Sequence, residues 1–160
     1  MGGGGHDYSK DGGTRFFCYY NGQRYYMACH RFFETDKYDT ESSKLMFHTN
    51  PRYRGENFIC EYFANERFCI YYKDNADGMK NWMLFIVKQQ KENYFTPVFN
   101  KNKCSMFILE NAGKNYFYIK ETLYNVYLYL NSYKKRTDSS FYAGATLERN
   151  KATKFQFNDI

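Results

Sequence analysis

Two short basic stretches near the end of this chain hold the residues best suited to chemistry. Lys134, Lys135 and Arg136 stand side by side in "SYKKRTD", and Arg149, Lys151 and Lys154 punctuate "LERNKATK". Ammonium and guanidinium groups hold sulfate and phosphate oxygens through charge-assisted hydrogen bonds. If the fold sets the two stretches together, six cations make a patch for an acidic ligand. Asp138 and Glu148 would dilute its field, and an ordinary solvated loop surface has the same composition. Neutral sugars call for a different residue, an aromatic ring against which the C–H face of the sugar stacks. Trp82 is the only tryptophan and so the candidate for that role, although its position suits packing equally well.

Signatures of catalysis are missing. The chain has no G-x-S-x-G turn, no phosphate-binding glycine loop and no H-E-x-x-H, and His6, His30 and His48 are scattered. No pair of acidic residues stands out. The expectation is a binding protein, not an enzyme, with no cofactor and no metal. A net charge of +6 suits a glycan or other anionic ligand. A protein partner is the second option. Nucleic acid is not expected, because the basic residues do not interleave with aromatics in one stripe.

Positioning such residues needs a scaffold, and composition points to strands. Aromatics make up 22% of the 160 residues, against few leucines and alanines. That length is one ordinary domain with a core of its own. The longest apolar run, Trp82 to Val87, is too short to cross a bilayer, so no membrane insertion is expected. With no leader in view, the expected location is the cytoplasm, or outside the cell without a visible signal peptide. Cys18, Cys29, Cys60, Cys69 and Cys104 lack any C-x-x-C spacing and mostly sit in apolar runs, which reads as reduced core thiols.

The strands repeat. "KNYFYIKETLYNVYLYLN" alternates with a period of two around a polar turn, as strands do. "RFFCYYNGQRYYMACH" has the same form with a tight Asn-Gly turn, and "RFCIYYKDNADGMKNWMLFIVK" has it with a longer loop. Phe16, Phe68 and Phe117 align at intervals of about fifty residues, and Trp82 aligns with Tyr26 and Tyr127. Each unit closes with a short strand, a polar loop and an aromatic-led strand, at Phe58, Phe107 and Phe155. Four strands in each of three units predicts twelve in all. Residues 1–13 are glycine-rich and read as a flexible tail, so the domain spans 14–160, with repeats at about 15–61, 67–110 and 116–158. Pro51 and Pro97 are expected at turns.

Three four-stranded repeats with pseudo-threefold spacing resemble the β-trefoil superfamily, over nearly the whole chain. The resemblance implies an all-β fold, a six-stranded barrel capped by three hairpins, with the six phenylalanines meeting in its core. It also implies a non-catalytic binding role, most readily a lectin-like one for sulfated or acidic glycans. The triplets "ENF", "SMF" and "TKF" are similar to the Q-x-W of ricin-type lectins, with Phe for Trp and with Glu56, Ser105 and Thr153 where that family has Gln. "CSMFILENAGKNY" resembles the strand leading into the third repeat of the fibroblast growth factors. That second likeness implies a growth-factor-like or cytokine-like receptor ligand, with basic third-repeat loops for heparan-type chains. Actin binding and protease inhibition are further roles that the trefoil resemblance allows.

Overall fold

The computed structural model describes residues 13–29, 44–49, 58–73, 78–87, 93–135 and 140–159. Arg136, Pro51 and the glycine-rich stretch through Gly12 lie outside them, as does the side chain of Lys135. Twelve strands form, as the repeat pattern predicts: β1 (Thr14–Tyr20), β2 (Gln23–Cys29), β3 (Leu45–His48), β4 (Ile59–Tyr62), β5 (Phe68–Lys73), β6 (Lys80–Ile86), β7 (Tyr94–Val98), β8 (Phe107–Asn111), β9 (Phe117–Glu121), β10 (Val126–Lys135), β11 (Phe141–Thr146) and β12 (Gln156–Asp159). They join in one antiparallel sheet, and among the described residues the only helices are single 3₁₀ turns.

Local chemistry explains the hairpins. Asn21 and Gly22 both take positive φ, 49° and 75°, so a two-residue turn carries β1 into β2 with Tyr20 opposite Gln23. That geometry matches the right-handed twist of the strands, and Asn-Gly is the pair that tolerates it. Between β9 and β10 the turn is held differently. The Glu121 carboxylate accepts the backbone N–H groups of Leu123 at 2.8 Å and Tyr124 at 2.9 Å.

Six strands pair in a closed circuit. β12 pairs with β1, β4 with β5, β5 with β8 and β8 with β9. Single bridges make the remaining joins, Thr14 with Phe58 and Phe117 with Phe155. Each bridge has reciprocal backbone hydrogen bonds of 2.7 and 2.9 Å. The other six strands make three hairpins, β2–β3, β6–β7 and β10–β11, of which β3, β7 and β11 touch one another. A circuit of this kind leaves its six strands no open edge.

The pairings correct the repeat alignment. Tyr26, Trp82 and Tyr127 face Phe17, Tyr71 and Lys120 across their hairpins. Counting back, Thr14 is the equivalent of Phe68 and Phe117, and Phe16 is the equivalent of Ile70 and Ile119. The first repeat is therefore offset by two residues from the alignment of Phe16 with Phe68 and Phe117. A two-residue shift keeps every side chain on its own face, so the alternating pattern is blind to it.

The core follows the corrected register. Phe16, Ile70 and Ile119 form one buried set, Phe58, Phe107 and Phe155 a second, and Met27, Met83 and Leu128 a third. Phe117 is not part of it. Its ring is partly exposed and packs on Phe157 at 5.4 Å between centroids, at the end of the circuit away from the hairpins. Pro97 also departs from expectation, because it lies within β7 opposite Met83 rather than at a turn. β7 ends the strand order, and an edge strand tolerates the missing N–H.

Candidate functional site

The hairpin registers bring three distant residues to one place. Met27 faces Phe47, Met83 faces Pro97, and Leu128 faces Ala145. Positions equivalent by that register include Leu45, Phe95 and Ala143, all buried in the core. The residues just before them are Lys44, Tyr94 and Tyr142. A strand turns successive side chains to opposite faces, so all three leave the core together. They converge where the hairpins touch. The Lys44 ammonium lies 4.7 Å from the centroid of the Tyr94 ring and 5.5 Å from that of Tyr142. Ring faces carry negative potential, so the two tyrosines hold the cation in place.

Beside this cluster lies a cavity of about 260 Å³. Lys44, Asn93, Tyr94, Tyr129, Asn131, Lys134 and the segment from Tyr142 to Ala145 line it. Among the described residues two lysines line it and no aspartate or glutamate does. Asparagine amides and tyrosine hydroxyls add both donors and acceptors. The Asn131 Oδ1 accepts the Tyr133 N–H at 3.2 Å, which orients that side chain at the cavity edge.

Gly144 shapes the wall. It faces Tyr129 in the β10–β11 register, and a Cβ placed there would stand 2.6 Å from Tyr129 ring atoms. Only glycine lets the end of the tyrosine ring approach β11 this closely. Gly144→Ala should therefore push Tyr129 aside, cost about 1–3 kcal/mol through overpacking and deform the cavity. Denaturant unfolding together with the near-ultraviolet tyrosine signal checks this; an unchanged midpoint would show that the ring was never pressed against Gly144.

Of the residues expected from the sequence, one reaches this site and others are engaged elsewhere. Lys134 lines the cavity. Arg149 turns the other way: it approaches Glu110 at 3.5 Å, donates to the Asn111 carbonyl at 3.0 Å and lies 5.1 Å over the Tyr118 ring. Lys151 pairs with Glu148 at 2.6 Å, and that hydrogen bond raises its pKa. Lys154 is exposed. Two of the six cations are thus partly neutralised by carboxylates, while Arg136 and the Lys135 side chain lie outside the described residues.

Trp82 is a packing residue in this geometry. It is 4% exposed, its ring sits 4.5 Å from that of Tyr71, and Lys80 and Lys101 reach over it. A sugar finds no open ring face there. Ser105 and Thr153 are also committed internally. Their hydroxyls accept the N–H groups of Phe85 at 2.8 Å and Leu130 at 2.7 Å, fastening each hairpin to the next strand. Among the described residues no group of three or more His, Cys, Asp or Glu is placed to hold a metal.

Sequence reasoning passed over Lys44, Asn93, Tyr94, Tyr129, Asn131 and Tyr142. Aligning the hairpins by their inward residues rather than by their first aromatic would have found Lys44, Tyr94 and Tyr142. Compared with protein-family models and with curated proteins, the chain matches none.

Proposed function

We propose that this chain is a β-trefoil that binds an acidic glycan, sulfated or carboxylated, in the cavity where its three hairpins meet, and performs no catalysis there. The trefoil reading is supported by the closed circuit of six strands, the three hairpins, and three sets of core residues in equivalent registers. The glycan reading rests on one observation: a cavity whose described lining has Lys44 and Lys134, two asparagines and Tyr129, with no carboxylate among those residues. Sugar rings stack on a tyrosine face, hydroxyls bond to amides, and an acidic substituent takes the lysines. The cavity volume suits one sugar unit with its substituent, which makes this an end-on or side-group contact, with the rest of the chain running over the surface.

An array of neutral, carboxylated and sulfated glycans, read at low and high salt, tests the reading. Binding should be confined to acidic glycans and weaken as salt rises, because lysine–sulfate contacts near the surface are screened. Lys134→Gln should weaken it about tenfold or more, the order expected for losing one charged hydrogen bond. Salt-insensitive binding to neutral sugars, or binding indifferent to Lys134, would contradict it. No binding at either salt would turn attention to a receptor or another protein partner.

A further inference from the structure

A second chemical site lies away from the cavity, between β5 and the turn that leads into β8. The Cys69 and Cys104 sulfurs are in hydrogen-bond contact at 3.0 Å, with both cysteines reduced. Cys69 is buried within β5, while Cys104 is partly exposed at the end of the 3₁₀ turn Lys101–Lys103. The Cys104 N–H bonds the Lys101 carbonyl at 3.1 Å, and Ser105 just beyond it bonds the Met83 carbonyl at 2.9 Å, so the thiol is held in position. Lys101 is close enough to act on both sulfurs and is itself paired with Glu61.

We infer that Cys69 and Cys104 are a reversible dithiol–disulfide pair that reacts with peroxides through Cys104. The contact with Cys69 lowers the pKa of Cys104; burial opposes this, and Lys101 lowers it further. The same contact, followed by burial, raises the pKa of Cys69. The pair therefore contains one thiol biased towards the nucleophilic thiolate and one proton-bearing resolving thiol. Accessibility agrees, since Cys104 is the member that solvent reaches.

The step balances with peroxide as oxidant. The Cys104 thiolate attacks one peroxide oxygen, the O–O bond breaks, and the departing hydroxide takes a proton as water. That leaves Cys104 as a sulfenic acid. The Cys69 sulfur then attacks the Cys104 sulfur, the S–O bond breaks, and hydroxide leaves with the Cys69 proton as a second water. Two thiols give up two hydrogens and two electrons, and one peroxide becomes two waters. Contact at 3.0 Å means the sulfurs need close by only about an ångström to reach bonding distance.

Trp82 is a built-in reporter. It packs in one apolar cluster with Cys69 and Tyr71, with Cys104 against that cluster, and it is the only tryptophan in the chain. Oxidation should therefore change its emission, because a disulfide beside an indole quenches it.

The test treats the reduced full chain with stepwise hydrogen peroxide and follows free thiols, tryptophan emission and a non-reducing peptide mass map. The expected result is loss of two of the five thiols, a cross-linked peptide joining Cys69 to Cys104, and an emission change that dithiothreitol reverses. Cys104→Ser should abolish both the cross-link and the emission change. Cys69→Ser should leave Cys104 able to form the sulfenic acid but unable to resolve it, so a mixed disulfide accumulates when glutathione is added. Even loss of all five thiols, a cross-link elsewhere, or an unchanged map would overturn the inference. The wild-type map stands whether or not either variant folds.

Discussion

Phe107→Ala should lower unfolding free energy by about 3–5 kcal/mol, the largest loss expected from any single truncation considered. Phe107 is fully buried and touches the rings of Phe68 and Phe95 at 6.2 and 6.1 Å. It also makes the Phe68↔Phe107 pairing, where β5 and β8 meet in the strand circuit. Removing the ring forfeits its burial and leaves a cavity that β-strands fixed by hydrogen bonds on both sides cannot collapse. Against a typical total stability of about 5–15 kcal/mol, the variant should be marginally folded at best. Phe157→Ala is the matched control, since that ring is 38% exposed at the rim, and its cost should be a small fraction of the Phe107 cost. Chemical denaturation of both proteins checks the ordering. Equal losses would mean the circuit's interior is not the core that holds the fold.

Glu121→Ala should be the next most damaging change. Glu121 is 1% exposed, and its two carboxylate oxygens each take one backbone N–H of the turn into β10. Alanine removes both acceptors, and a buried donor left without a partner costs about 1–3 kcal/mol. Because water can reach part of this turn, a loss of about 2–3 kcal/mol is expected. Glu121→Gln keeps the shape and one acceptor oxygen, so it should cost about half as much. Amide hydrogen exchange locates the effect: Leu123 and Tyr124 should lose protection first in the alanine variant. If alanine and glutamine behave alike, the carboxylate does not hold the turn.

Much of the fold can be read from the chain because strand periodicity and turn chemistry are local. The Asn21-Gly22 turn, the three aromatic-led strands at Phe58, Phe107 and Phe155, and the number of strands all follow from alternation and punctuation. What alternation cannot carry is absolute register. Thr14 occupies the place that Phe68 and Phe117 hold in their repeats, yet the eye aligns Phe16, two residues later on the same face. Phe117 then looks like core when it is rim.

The site was less legible for a related reason. Its central cluster is Lys44, Tyr94 and Tyr142, three equivalent positions of which one carries a lysine, and nothing local marks that lysine as the partner of tyrosines far along the chain. The basic runs were visible, but their pairing was not. Arg149 is drawn to Glu110 and Lys151 to Glu148, whereas Lys134 alone of the described cations in those runs turns up in the cavity lining. Trp82 attracts attention because it is a lone tryptophan, and that same bulk is what fills the space beside Tyr71 and Cys69.

Titrating a short sulfated oligosaccharide into isotope-labelled protein while recording amide chemical shifts locates the proposed glycan site directly. The cavity predicts saturating shifts at Asn93, Asn131, Lys134 and the segment from Tyr142 to Ala145, with much smaller ones at Arg149, Lys151 and Lys154. Shifts concentrated in Arg149 to Lys154 with the cavity silent would contradict it and restore the third-repeat basic patch.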